Sequence, residues 1–149
     1  MMAAMENDSP TVPKRTLTEI LYVVFLRLVA VTSLWFGLQY WGMLVGYSLD
    51  GQGRFDLLTV PWQGAAPTLA VVFPVAALGL WLAVSWGPVL WALAAIVQFL
   101  MYETWSEIFG TNTFVLLFHG LVAALYVLFR IAFWLDDRRR AGQVTTHLP

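Results

Sequence analysis

The stretch from Pro67 to Phe109, PTLAVVFPVAALGLWLAVSWGPVLWALAAIVQFLMYETWSEIF, holds no Lys, Arg or Asp, and its two carboxylates, Glu103 and Glu107, lie near its end. Ser85-Trp86-Gly87-Pro88 interrupts it with a tight turn. Gly87 suits the position just past a helix, and Pro88 the first position of the next one. The two halves, residues 67–86 and 88–109, each reach the roughly 20 apolar residues that carry a helix across a hydrocarbon core of about 30 Å. A lipid-embedded backbone must satisfy its own polar groups, which favours helices. Two apolar helices joined by so short a turn lie antiparallel. The stretch therefore reads as a membrane hairpin, with Pro74 bending its first helix.

Outward from the hairpin, Gly110-Thr111-Asn112-Thr113 makes a second short turn into another apolar run, residues 113–135. On the N-terminal side, residues 17–46 form the remaining span. Thr16-Leu17-Thr18-Glu19 has the spacing of a capping box at its start. Residues 47–66 are the one sizeable loop. Asp50, Gly51, Gly53 and Pro61 break helix there, while Phe55, Leu57, Leu58, Val60 and Trp62 suit a membrane surface. Residues 1–15 read as a disordered leader, with Pro10 and Pro13, and 137–149 as a polar tail. The apolar run after Lys14 and Arg15 is too long for a signal peptide and lacks an A-x-A site, so it is expected to stay as a span. The expectation is an all-α, integral membrane, up-down four-helix bundle occupying residues 16–136.

Composition agrees. The 149 residues are 60% hydrophobic and 11% charged, against about 25% charged in a soluble domain. Mean hydropathy is +0.73. Eight Trp fit anchors at the headgroup level. A net charge of −1 offers no basic surface to nucleic acid. No cysteine is present, so thiol nucleophiles, disulfides and thiolate metal sites are excluded. Lys14, Arg15 and Arg138–Arg140 flank one side of the spans and Arg54 the other. The positive-inside rule then places both termini in the cytoplasm of a bacterium.

Ionisable groups within spans are costly and draw the search for a site. Glu103 and Glu107 are spaced i,i+4 on span three. Counted from the turn at residues 110–113, His119 on span four lies at the depth of Glu103. Gln98 also lies on span three, and Gln39 on span one is at comparable outer depth and could join Glu103 and His119. One reading is a proton-exchanging group of Glu103, Glu107 and His119 open to the outer face. The other is a polar cluster that fastens helices. His119, Ala123, Tyr126 and Arg130 recur on one face of span four, expected to point inward. Arg27 lies about 15 Å along span one at 1.5 Å per residue, deep for snorkelling, whereas Arg130 reaches a headgroup easily. Gly42/Gly46, Gly79/Ala83 and Gly120/Ala124 are small-residue pairs that let helices approach. Three acid or imidazole groups match no metal motif, no nucleotide or hydrolase motif is present, and one embedded histidine does not make a bis-histidine haem. No cofactor or resident metal is expected.

Arg15-Thr16-Leu17, Leu38-Gln39-Tyr40-Trp41-Gly42 and Tyr102-Glu103-Thr104-Trp105 resemble small four-helix inner-membrane proteins of alphaproteobacteria that carry a domain of unknown function. That resemblance covers nearly the whole chain and implies no activity. Phe25-Leu26-Arg27-Leu28 with Phe36-Gly37-Leu38 resembles the opening of DoxX-like membrane proteins, over one helix only. The expected role is a non-catalytic accessory or scaffold protein of a bacterial inner membrane, bound to lipids and to a larger membrane-protein partner or to further copies of itself. The alternatives are an oligomeric transporter or channel component and a DoxX-like redox protein.

Overall fold

The computed structural model describes residues 13–47 and 55–145. The remainder of the expected leader, the loop residues with Asp50, Gly51, Gly53 and Arg54, and the tail residue His147 lie outside them. The described chain is helical: α1 (Leu17–Leu44), a 3-10 turn (Phe55–Leu57), α2 (Val60–Trp81), α3 (Trp86–Phe99) continued by a π-helical turn (Leu100–Thr104), a short α4 (Ser106–Phe109) and α5 (Thr113–Thr145). Four of these segments, Leu17–Leu44, Val60–Trp81, Trp86–Thr104 and Thr113–Gln143, are long and apolar enough to cross a membrane. Around the bundle, α1 packs on α2, α2 on α3, α3 on α5, and α5 returns to α1. The outer surface carries large apolar side chains such as Leu28, Trp35, Leu78, Val89, Phe114 and Leu121, as a lipid-facing surface requires.

The capping box forms as expected. The Glu19 amide donates to the Thr16 hydroxyl at 3.3 Å, and the Thr16 amide donates to the Glu19 carboxylate at 2.9 Å. Asn112 caps α5, its side-chain oxygen accepting from the Val115 amide at 3.3 Å. Alanine dominates the interior: Ala30, Ala66, Ala70, Ala76, Ala77 and Ala94 are buried. Without a strong hydrophobic drive between helices in lipid, such small side chains let backbones approach and gain dispersion contacts.

Several boundaries depart from the sequence reading. Helix α2 begins at Val60, inside the expected 47–66 loop, because Pro61 sits in the first turn, where no intrahelical N–H is needed. Its start is tied down by Gln63, whose side-chain amide donates to the Leu58 carbonyl at 3.0 Å. Helix α2 ends at Trp81 rather than residue 86, and Ala83 takes the left-handed conformation (φ 54°) that closes the turn. The Val84 amide reaches back to Gly79 and the Ala83 amide to Leu80, the paired bonds of a Schellman motif. Gly87, expected in that capping place, lies in the first turn of α3. It is small for another reason: a Cβ there would stand 2.5 Å from the Gly79 carbonyl carbon. Helix α5 continues through the expected tail to Thr145, with Arg140 bonded to Asp136 at 3.0 Å and Arg138 over Trp134. Gly42 and Gly46 serve a cap, Gly46 having φ 73° and the Tyr47 amide returning to Gly42. Gly120 faces open space.

Pro74 is central to the α1–α2 interface. A proline cannot donate to the carbonyl four residues back, so the Ala70 oxygen loses its helical partner. The Trp41 indole N–H of α1 donates to that oxygen at 2.9 Å. On the same side Gly37 makes room, since a Cβ there would meet the Pro74 ring at 2.7 Å. Trp41→Phe should therefore destabilise the protein by about 1–3 kcal/mol, the cost of a buried carbonyl left unpaired. In a Pro74→Ala background the backbone supplies its own donor, and the same substitution should cost well under ~1 kcal/mol. Denaturation in detergent of the four proteins of this cycle checks it; equal costs in both backgrounds would remove the assignment.

Candidate functional site

Between two apolar clusters, one around Leu26, Ala30 and Leu80 and the other around Leu69, Ala70 and Phe73, the helices bring polar side chains together. Tyr40 comes from α1, Gln98 from α3 and His119 from α5, and they are 5%, 1% and 7% exposed. The Gln98 side-chain amide donates to the Tyr40 hydroxyl oxygen at 2.7 Å. With the amide in this orientation, its oxygen lies 2.5 Å from His119 Nε2, which is then the donor. One glutamine thus ties three helices.

The fourth helix joins by packing. Phe73 of α2 lies nearly parallel to both Tyr40 (7°, centroids 6.1 Å apart) and His119 (9°, 6.3 Å). Phe36, Trp91 and Phe118 complete an aromatic wall around the imidazole at 5.6–5.7 Å. Ser33, 1% exposed, turns its hydroxyl to the Val29 carbonyl at 2.7 Å, so it needs no partner on another helix. His119 Nδ1 and Trp91 Nε1 are buried without a hydrogen-bond partner.

The expected trio does not assemble. Glu103 and Glu107 are exposed, and no hydrogen bond joins either to His119. After Gln98 the chain loosens into the π turn, where the Trp105 amide bonds to Leu100 five residues back. Trp105 (φ −115°, ψ 38°) then breaks the helix before α4. An i,i+4 pairing holds only on a continuous α-helix, so the shared face of Glu103 and Glu107 is lost. Gln98, one helical turn and more above Glu103, takes the imidazole instead.

Gln39 is exposed, and its neighbour Tyr40 is the inward residue of α1. The inward face runs Leu26, Val29, Ala30, Ser33, Gly37 and Tyr40, a helical spacing that already points to Tyr40. On α5 the buried or half-buried positions are Val115, Leu116, Phe118, His119, Val122, Tyr126, Phe129 and Phe133, whereas Ala123 and Arg130 are exposed. The polar seam proposed for this helix is therefore only half inward. Arg27 is also exposed, with its guanidinium 5.3 Å from the Trp81 ring centroid. Trp81 ends α2, so Arg27 stands level with the α2–α3 turn rather than deep in a span.

Among the described residues no three His, Cys, Asp or Glu side chains are grouped to hold a metal ion. The chemistry of the buried group is that of a neutral hydrogen-bond chain: phenol, amide and imidazole in series, with aromatic faces excluding water. Such a chain fixes helix rotation and register, because each partner sits on a different helix. No curated protein and no solved structure matches the chain. A family model does match, over residues 20–137, from the end of the first turn of α1 to the Asp136-Asp137 step in α5, and the chain therefore belongs to DUF6163, a family of unknown function.

Proposed function

We propose that the protein is a non-catalytic accessory or scaffold component of a bacterial inner membrane that packs against a larger envelope or respiratory complex. The observation that carries this reading is the use made of the embedded polar groups. Tyr40, Gln98 and His119 bond to one another inside the bundle and fasten its helices. The outward face of α5, by contrast, offers Phe114, Leu117, Leu121 and Leu128 beside the flat surface of Gly120. A rigid bundle with a broad apolar exterior suits lateral packing more than turnover.

Purification of the tagged protein from its native membrane in mild detergent, with mass spectrometry of what travels with it, tests the reading. A stoichiometric larger partner is the expected result. A clean homo-oligomer would instead favour the small transporter or channel component, with Glu103→Gln as the next variant. Within one chain Glu103 and Glu107 are exposed and no hydrogen bond joins them to buried His119, so that alternative draws on a second copy to complete the group.

Both termini are proposed to be cytoplasmic. The start of α1 and the far part of α5 lie at the same end of the bundle, where Tyr22 meets Phe133 at 5.3 Å. Lys14, Arg15 and Arg138–Arg140 gather at that end. Reporter fusions near residues 87 and 145 should read inside and those near 55 and 111 outside; the opposite pattern would overturn the orientation.

A further inference from the structure

Helices α1 and α5, of 28 and 33 residues, are longer than α2 with 22. At 1.5 Å per residue these are about 42, 50 and 33 Å. Because Arg27 stands beside Trp81 at the end of α2, residues 17–26 of α1 run on past the α2–α3 turn. The step leaves a notch of about 510 Å³. Its floor is the turn at Leu82 and Ala83, and its walls are Arg15, Glu19, Tyr22 and Arg27 of the α1 side with Phe133 of α5. Directly below, an apolar groove of about 430 Å³ runs between Ala30, Val31 and Leu34 of α1 and Pro74, Ala77 and Leu78 of α2. Trp81 lines both, so the notch opens into the groove.

We propose that notch and groove together hold one anionic glycerophospholipid, its phosphate between Arg15 and Arg27 and one acyl chain along the α1–α2 groove. Three observations select this occupant. The first is charge. The notch holds two guanidinium groups and one carboxylate, and the Glu19 carboxylate already accepts from the Thr16 amide. Among the described residues neither arginine has a carboxylate within ion-pair distance. Arg27 lays its guanidinium against Trp81, which orients the group and leaves its N–H edge free for the planar, two-pronged contact that phosphate oxygens accept. The second is polarity along one direction. The notch is polar and lies level with a helix turn, and the groove below it is bounded by aliphatic side chains and Trp81. A phospholipid has that order of chemistry, whereas a free anion would have no use for the groove. The third is shape. Ala30 and Ala77 are small where Leu34 and Leu78 flank them, and this produces a channel instead of a closed helix contact. The proposal does not rest on the accessory reading and survives if no protein partner is found.

Native mass spectrometry of the full-length, delipidated protein in detergent tests it, with palmitoyl-oleoyl phosphatidylglycerol and the matching phosphatidylcholine as probes. The first phosphatidylglycerol should be retained about tenfold more tightly than phosphatidylcholine, as expected for basic side chains at a headgroup. Arg27→Gln should abolish that preference. Arg15→Gln, which precedes the helix and does not disturb its fold, should reduce it independently. Leu34→Trp, at an exposed position of the groove, should weaken retention of the first phosphatidylglycerol with both arginines intact. Glycerol phosphate in excess should not displace the lipid. Equal retention of the two lipids by the unaltered protein, a preference undiminished in both arginine variants, or displacement by glycerol phosphate would overturn the proposal.

Discussion

Gly87→Ala is expected to destabilise the protein by about 3 kcal/mol, the upper end of the range for overpacking a closed contact. The added Cβ would lie 2.5 Å from the Gly79 carbonyl carbon, 2.6 Å from the Leu80 nitrogen and 2.8 Å from the Gly79 oxygen. All three are backbone atoms of α2, so no side chain can swing aside. Relief requires α3 to move from α2, and that motion would also draw Gln98 from its partners. Gly79→Ala should cost less. Its nearest obstacle, at 2.4 Å, is the rim of the half-exposed Trp86 ring, which can shift, although Gly87 Cα remains at 2.7 Å. Gly120→Ala meets nothing within 4 Å and should be neutral or slightly stabilising through helix propensity. Unfolding in mixed micelles with rising SDS ranks the three. Gly87→Ala unfolding with the unaltered protein would mean that the helices can part freely.

Gln98→Leu should cost about 1–3 kcal/mol, because it strands His119 and leaves the Tyr40 hydroxyl only its neighbour Tyr102. The Tyr40 hydroxyl and the His119 Nε2–H both lose their contact with this amide inside the bundle. An unpaired buried polar group costs about 1–3 kcal/mol, whereas hydrogen bonds between membrane helices contribute only about 0.6 kcal/mol on average when an alternative partner exists. Here the larger figure governs, since both groups are more than nine-tenths buried and surrounded by aromatic rings. The complementary variant removes the whole chain: Tyr40→Phe, Gln98→Leu and His119→Leu together should recover to within ~1 kcal/mol of the unaltered protein. SDS titration of the single and triple variants separates these outcomes. A Gln98→Leu protein as stable as the original would show that the two partners do not depend on this amide.

Much of the architecture was legible because it depends on sums over neighbouring residues. Length and hydropathy over residues 67–109 and 113–135, the short turns, and the Thr16–Glu19 cap are local properties. They gave four spans and an up-down order without knowledge of any distant contact. Individual side chains were harder to read. Gln39 and Tyr40 are adjacent, and about 100° of helix rotation decides which one faces inward. The hydroxyl and glycine at Ser33 and Gly37 mark the inward face, while polarity alone favoured Gln39. The pairing of Glu103 with Glu107 on one face needs an unbroken α-helix, and the π turn at Leu100–Thr104 breaks that register.

By itself the sequence determined that this chain is a bundle of four membrane-length helices, because apolar runs of that length have one stable use in lipid. Tertiary structure alone decided the partners: Trp41 for the carbonyl that Pro74 strands, Gln98 for both Tyr40 and His119, and Gly79 for Gly87. These contacts join residues far apart in the chain or set on different helices. They depend on helix rotation, on where each helix stops, and on how closely two backbones approach. Those quantities are fixed only when all the helices pack at once.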